Sequence, residues 1–289
     1  MTHTARRAGR AGRASSDLTG LHVLVTGAGG DIGRAVCDRL HLLGARPIAS
    51  DLPDRLEGLP YPTVGLDVTD ADAVREALGR IQVLDGLILA HGITSRGRVT
   101  VTPMAATRKV IEVNLVGAAF CAQAALPALV RSRGRIAVVS SVAGFGPLVD
   151  RSAYSASKHG LFGFFDTLRA ETATLGVSVT VVAPSFVRTG IEDRAVFQHG
   201  RWVTTGQVLT PEQAARAIVA GMAKRRRLVL PSRTSTLGWW VSRASPRVFE
   251  RLMLRQVAVE GASAMMSDGS TSAVLPDRTA GVSDRGLQA

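Results

Sequence analysis

This sequence predicts an α/β domain on a doubly wound parallel sheet, three layers deep, carrying a basic helical extension toward its C-terminal end. Three observations predict it. Short aliphatic and β-branched runs alternate with helical stretches from about residue 21 to residue 230. The first run, Leu21 to Val25, leads straight into a glycine-rich turn, TGAGGDIG from Thr26 to Gly33, that opens a helix. The residues with chemical potential follow strand ends, where ligands of such sheets collect.

Taken in order, residues 1–16 hold Arg6, Arg7, Arg10 and Arg13 among Ala, Gly and Ser and read as a disordered basic arm. A domain over 17–230 follows. The helix after the glycine turn runs to about Leu43. Arg46 to Ser50 is the second strand, ending at Asp51, and Val64 to Leu66 the third, ending at Asp67. A helix over 70–80 is capped by Thr69 or Asp70. The fourth strand, Gly86 to Ala90, runs into His91-Gly92, and a helix over 104–130 carries Asn114. Strand Arg135 to Val139 ends at Ser140-Ser141; a helix over 152–175 and a strand from Val177 to Val182, ending at Pro184, come next. Residues 190–206 are a loop before a helix over 211–224 and a strand-like Leu228 to Leu230. Residues 231–258 form the basic amphipathic extension, and 259–289 read as a disordered tail.

Charge looks at first like a nucleic-acid signal, at +12 overall. It is peripheral: residues 1–16 contribute +4 and residues 224–255 contribute +8, so the rest is neutral in total. Aromatics, at 4%, are too few to interleave a basic binding platform, so nucleic acid is excluded as a partner. Cys37 and Cys121 form neither a disulfide framework nor a metal spacing, which excludes a metal site and fits a reducing, cytoplasmic compartment. No apolar run reaches the ~18–20 residues of a membrane span.

The chemistry centres on SAYSASK, residues 152–158, with Ser141 upstream. On a helix Tyr154 and Lys158 stand at i and i+4 and share a face. An ammonium beside a phenol favours the phenolate and lowers its pKa, as a general acid/base near neutrality requires. Only three of the 35 basic residues are lysines, so lysine at 158 suggests a requirement for a compact, tunable charge. At the glycine turn, helix-start amides and their dipole suit a pyrophosphate. Asp51 lies where an acid accepts hydrogen bonds from ribose hydroxyls and repels a 2′-phosphate. No arginine follows it directly and Gly30 fills a turn position where a base could stand, which favours NAD over NADP.

With TGAGGDIG, Asp67-Val68, Asn114, the Ser141/Tyr154/Lys158 spacing and APSFVRT (Ala183 to Thr189), the chain resembles the short-chain dehydrogenase/reductase family over about residues 18–230. The resemblance implies a Rossmann fold, a nicotinamide cofactor and a homo-oligomer. It implies proton transfer by Tyr154, a substrate hydrogen bond from Ser141, ribose binding and pKa lowering by Lys158, and a relay water held by Asn114. Cofactor contacts would come from Gly27, Gly29, Asp31, Ile32, Gly33, Asp51, Asp67, Val68 and Gly92, and from Tyr154, Lys158, Pro184, Val187 and Thr189. Asp67 and Val68 would lie by the adenine, and Val187 and Thr189 by the carboxamide.

Four departures from the family pattern stand out. Asp31 replaces the middle glycine and brings negative charge toward the pyrophosphate. Leu89-Ala90-His91-Gly92 replaces Asn-Asn-Ala-Gly, and Ser185 stands where Gly would follow the proline. The glycine-rich C-terminal signature of many tetrameric members is absent.

In the loop 190–206, where the family keeps a substrate lid, Ile191, Val196, Phe197, Trp202 and Val203 offer an apolar lining or serve packing alone. The expected reaction is therefore secondary alcohol/ketone interconversion on a hydrophobic substrate, such as a steroid, retinoid or acyl lipid. The alternative is a catalytically silent dinucleotide-binding regulator or scaffold. In the extension, Val248, Phe249, Leu252 and Met253 make one face of a helix over 247–257 and Arg247, Arg251 and Arg255 another. Near Trp239 and Trp240, this suits either peripheral contact with a membrane through 237–257 or packing on protein.

Overall fold

The computed structural model describes residues 16–200 and 207–254. Seven parallel strands form the sheet: β1 (His22–Thr26), β2 (Arg46–Asp51), β3 (Thr63–Gly65), β4 (Gly86–Leu89), β5 (Arg135–Val139), β6 (Ser178–Val182) and a last short strand, Leu228–Val229. Their order is β3-β2-β1-β4-β5-β6 followed by that last strand. The order reverses between β1 and β4, so a crevice opens there at the carboxyl ends. β4 and β5 are buried along their whole length, as strands covered on both faces must be.

Two cores lie on opposite sides of this sheet. On one side α1 (Asp31–Leu42) packs on a later helix, Pro211–Ala223, around Val36, Leu40, Ile218 and Met222. On the other, α2 (Ala71–Gly79), α3 (Met104–Ile111), α4 (Gly117–Ser132) and α5 (Ser152–Thr172) surround Leu87, Leu129, Ile136 and Phe165. Asp70 is the α2 cap, its side chain accepting from the amides of Asp72 and Ala73. The helical stretch expected over 104–130 is continuous to Ser132 but widens into a π turn at Glu112–Val116. By length and composition Met104–Ser132 could cross a membrane, contrary to the sequence expectation; here its Ala118, Cys121, Ala122 and Ala125 are core residues.

After β6 two strands pair in parallel beside the main sheet: β7 (Phe186–Val187) and β8 (Val208–Leu209). Then come α6 (Pro211–Ala223), with a Thr210/Gln213 capping box and Pro at its start, and β9 (Leu228–Val229). The extension forms α7 (Arg233–Ala244) and a further helix, α8, over 246–254. The expected arm, except Ser16, and the tail over 259–289 lie outside the described residues, as do Trp202, Val203 and Arg255.

Candidate active site

The turn between β1 and α1 is built on close backbone approach. Gly27 has φ +72°, which L side chains rarely adopt. A Cβ on Gly33 would stand 2.0 Å from the Gly27 carbonyl oxygen. Gly30 caps α1 without a side-chain hydrogen bond, so the first-turn amides have neither an intrahelical nor a capping acceptor. This end of the helix opens on a cleft of about 280 Å³. Gly27, Asp31, Ile32, Gly33, Asp51, Asp67, Val68, Gly92 and Thr189 all line it.

Asp51 does more than end β2. One carboxylate oxygen accepts from the Gly29 amide at 3.0 Å and the other from the Leu52 amide at 2.8 Å, tying the glycine turn to the second strand. Arg55, on a short turn over Pro53–Arg55, stands on the same wall, and its carbonyl oxygen would lie 2.4 Å from a Cβ on Gly29. No arginine follows Asp51 directly, but the turn brings Arg55, four residues on, to the cleft. Asp67 accepts from the Thr69 amide (2.9 Å) and hydroxyl (2.7 Å); the Thr69 amide bond leads in holding its carboxyl below the usual range, helped by Lys109.

Asp31 is the clearest surprise. Rather than simply adding bare charge near a pyrophosphate, its carboxylate accepts from the Gly190 amide at 2.9 Å and lies 3.5 Å from the Arg194 guanidinium. It therefore fastens the loop after β7 onto the glycine turn. That loop is also held by Arg151–Glu192 at 3.6 Å and by backbone pairing of residues 196–199 with 94–96. Ile191 and Val196 line the cleft, whereas Phe197 packs on Gly97.

The remaining polar residues meet where β4 and β5 end. Asn114, on the π turn, accepts from the Ile93 amide (2.8 Å) and donates to the Ile93 carbonyl and the Ser157 hydroxyl (3.0 Å each). Such π turns recur at functional sites. The Lys158 amine donates to the Val139 carbonyl at 2.9 Å and lies 3.5 Å from where a Gly92 Cβ would be, facing the cleft wall. Burial pushes its pKa down to about 8. Ser141, extended at the end of β5, accepts from the Ala143 amide at 3.2 Å and hydrogen-bonds Tyr154.

Tyr154 departs from expectation. Burial raises its pKa above the ordinary phenol value, and what pulls it back is first Arg151, then the Ser141 hydrogen bond. Lys158 stands 5.6 Å from the ring centroid. The cation acting most on the phenol is thus Arg151, one turn earlier on the chain at i−3.

His91 is partly buried on the cleft wall, with Nδ1 2.6 Å from the Thr26 hydroxyl, filling the turn where the family has amides. Burial, then the Lys158 charge, push its pKa down to about 3, so it is a neutral brace. Of the expected cofactor contacts, Gly29, Tyr154, Lys158, Pro184 and Val187 are not among the residues lining the cleft; the Pro184 carbonyl accepts from the Val142 amide, and Val187 pairs with Leu209. Ser185, the other departure, is hydrogen-bonded to Ser232 at 2.9 Å and so ties the end of β6 to the cap of α7.

A glycine turn on a helix start, at the switch point of a parallel sheet, with Ser, Tyr and Lys gathered at the next strand ends, defines a dinucleotide-dependent oxidoreductase. Residues 21–198 match the family model for short chain dehydrogenases, and the chain belongs to the short-chain dehydrogenase/reductase family, NAD(P)-dependent enzymes acting on CH–OH groups. It is 32% identical over 265 residues to dehydrogenase/reductase SDR family member 7B of Bos taurus, covering 82% of each chain. Against the Xenopus tropicalis protein of that name it is 30% identical, over 86% of this chain and 89% of the other. A short chain dehydrogenase from Burkholderia cenocepacia, solved in complex with NADP, superposes with a TM-score of 0.75 at 23% identity, covering 82% of this chain and 99% of that one. Ligand-free aldohexose dehydrogenase from Thermoplasma acidophilum gives 0.66 at 27% identity, covering 75% and 94%.

Proposed function

We propose that this enzyme interconverts a secondary alcohol and a ketone on an apolar substrate, with Tyr154 as the general acid/base and NAD favoured over NADP. The observation that carries the reading is the Ser141–Tyr154 hydrogen bond beside a Lys158 amine turned toward Gly92 on the cleft wall. The uncapped first turn of α1, held in place by the tight backbone packing of Gly33 on Gly27, fits a dinucleotide pyrophosphate. Asp51 and Asp67 line the end suited to the adenosine.

When bound, the nicotinamide accepts or supplies the hydride. In the oxidation direction the Tyr154 oxygen takes the proton from the substrate hydroxyl, while the Ser141 hydroxyl orients that oxygen. In reduction Tyr154 returns the proton to the forming alcohol. Lys158, anchored on Val139, is suited to hold the nicotinamide ribose, and its charge beside the cleft favours the phenolate once substrate and cofactor exclude water. Asn114 keeps Ile93 and Ser157 in register, where it would hold a relay water. Ile93, Val113, Ile191 and Val196 give the cleft apolar walls that suit a steroid-, retinoid- or acyl-like substrate.

Tyr154→Phe is the test, assayed at the nicotinamide absorbance with a panel of steroid, retinoid, acyl and short polyol substrates. Turnover is expected to fall by roughly 10²–10⁴-fold while nucleotide affinity is kept. Undiminished turnover would exclude the assignment. In the same preparation, tryptophan-fluorescence titrations are expected to give tighter binding for NAD; tighter NADP would instead assign Arg55 to the 2′-phosphate.

A further inference from the structure

The extension has two apolar sides, and the domain uses only one of them. Trp239 stacks on Phe162 with centroids 5.5 Å apart and meets Phe145 edge-on at 5.2 Å. Phe249 of α8 is buried against Gly146, in the loop between Ser141 and Tyr154, and against Gly238 of α7. Ser232 and Ser235 form a buried capping box joined to Ser185. Both helices are therefore seated firmly on the domain, and their outer surface exists in the folded protein.

Its exposed side chains are apolar residues interspersed with arginines. On α7, Arg233, Leu237, Trp240 and Ala244 recur at spacings of four, three and four, which makes one stripe facing away from Gly238 and Trp239. Leu237 is 66% exposed and Trp240 65%. On α8 the single apolar face expected from sequence is split. Phe249 turns inward, whereas Val248 and Leu252, one turn apart, are 44% and 43% exposed beside Arg247 and Arg251. Over residues 231–254 there are four arginines and one acid, Glu250.

We propose that this face docks the enzyme on an anionic phospholipid surface. Acyl chains accept Leu237, Trp240, Val248 and Leu252, while headgroup phosphates meet Arg233, Arg247 and Arg251. Charge complementarity selects this occupant. A second copy placed by two-fold symmetry brings this net-positive patch against an equally positive one, whereas an anionic interface satisfies the apolar residues and the arginines at once. Tryptophan suits the boundary between chains and headgroups, and arginine stems bury along apolar surface with their charge kept outside. The inference stands on this surface alone and does not depend on the role given to Tyr154.

The full chain is co-sedimented with vesicles of phosphatidylcholine containing phosphatidylglycerol, and with pure phosphatidylcholine. Binding is expected to the first only, and to be lost at high salt. The Leu237→Ser/Trp240→Ser variant is expected to bind at least about tenfold more weakly. Should that variant melt below the wild type, Arg247→Gln/Arg251→Gln, at two exposed positions, replaces it with a similar expected loss. Brominated acyl chains are expected to quench the wild type more than Trp240→Phe. The proposal is overturned by no sedimentation of the wild type or by wild-type binding of the folded double variant, which would assign the affinity to the basic arm or the tail. A solution dimer that the double variant splits overturns it too, since the face then belongs to a second copy. Alcohol oxidation on a soluble substrate stays unchanged in the variants, so this test and that of Tyr154 fail separately.

Discussion

Tyr154 shows how a spacing can be right and its electrostatics incomplete. The i, i+4 pair with Lys158 is legible in the sequence, but the amine is anchored on the Val139 carbonyl, 5.6 Å from the ring centroid, and Arg151 is the cation that pulls the phenol down. Which cation acts depends on where side chains end, and spacing alone does not say. His91 gives a testable consequence. Its folded pKa, about 3, lies below the 6.5 expected of the unfolded chain, so below pH 6.5 the unfolded state takes a proton that the folded state refuses. Its stabilising contribution is therefore present above pH 6.5 and is lost as pH falls toward 3, at up to ~1.4 kcal/mol per pH unit. In denaturant unfolding between pH 7 and 4.5, His91→Ala is expected to lose stability less steeply than the wild type. Equal slopes would show that the imidazole is not held neutral.

At the scale of elements, β1, its turn and α1 are the unit most completely legible, because aliphatic run, glycine cluster and helix onset are all local. The tight approach of Gly33 to Gly27 makes the unit intolerant of a methyl group. Gly33→Ala is expected to cost roughly 2–4 kcal/mol and to abolish nucleotide binding, read by thermal unfolding and fluorescence titration. Retention of both wild-type values would mean that the cradle is looser than its geometry. Other features were invisible: the π turn around Asn114 and the two-residue strands β7 and β8 leave no periodic trace. Asp31 was legible as a departure, yet its partners Gly190 and Arg194 lie some 160 residues on, and only folding unites them.

For the whole molecule, the extension acts as a brace on the loop after β5, on α5 and on the end of β6. Phe249 seals Gly146, Trp239 completes an aromatic cluster with α5, and Ser232 reaches the end of β6. Phe249→Ala removes the buried anchor of α8 and is expected to cost about 3 kcal/mol. Limited trypsin digestion is then expected to cut at Arg247 and Arg251 before it touches the sheet. A digestion pattern identical to the wild type would place the anchor elsewhere. The sequence marked this segment as basic and amphipathic, but Val248 and Phe249 are both apolar. Only the domain surface beneath them decides that one is buried and the other turned out.

By itself the sequence determined the sheet, the glycine turn at its centre and the Ser141, Tyr154 and Lys158 spacing, because each is written in neighbouring residues or in strand ends that a parallel sheet must align. Tertiary structure alone decided that Arg55 reaches the cleft, that Asp31 fastens the loop at Gly190, that Arg151 tempers the phenol and which side of the extension faces out. Apart from Arg151, which caps the tyrosine's own helix, these depend on contacts between residues from different elements. Their energies depend on distance and burial, which exist only once the chain has folded.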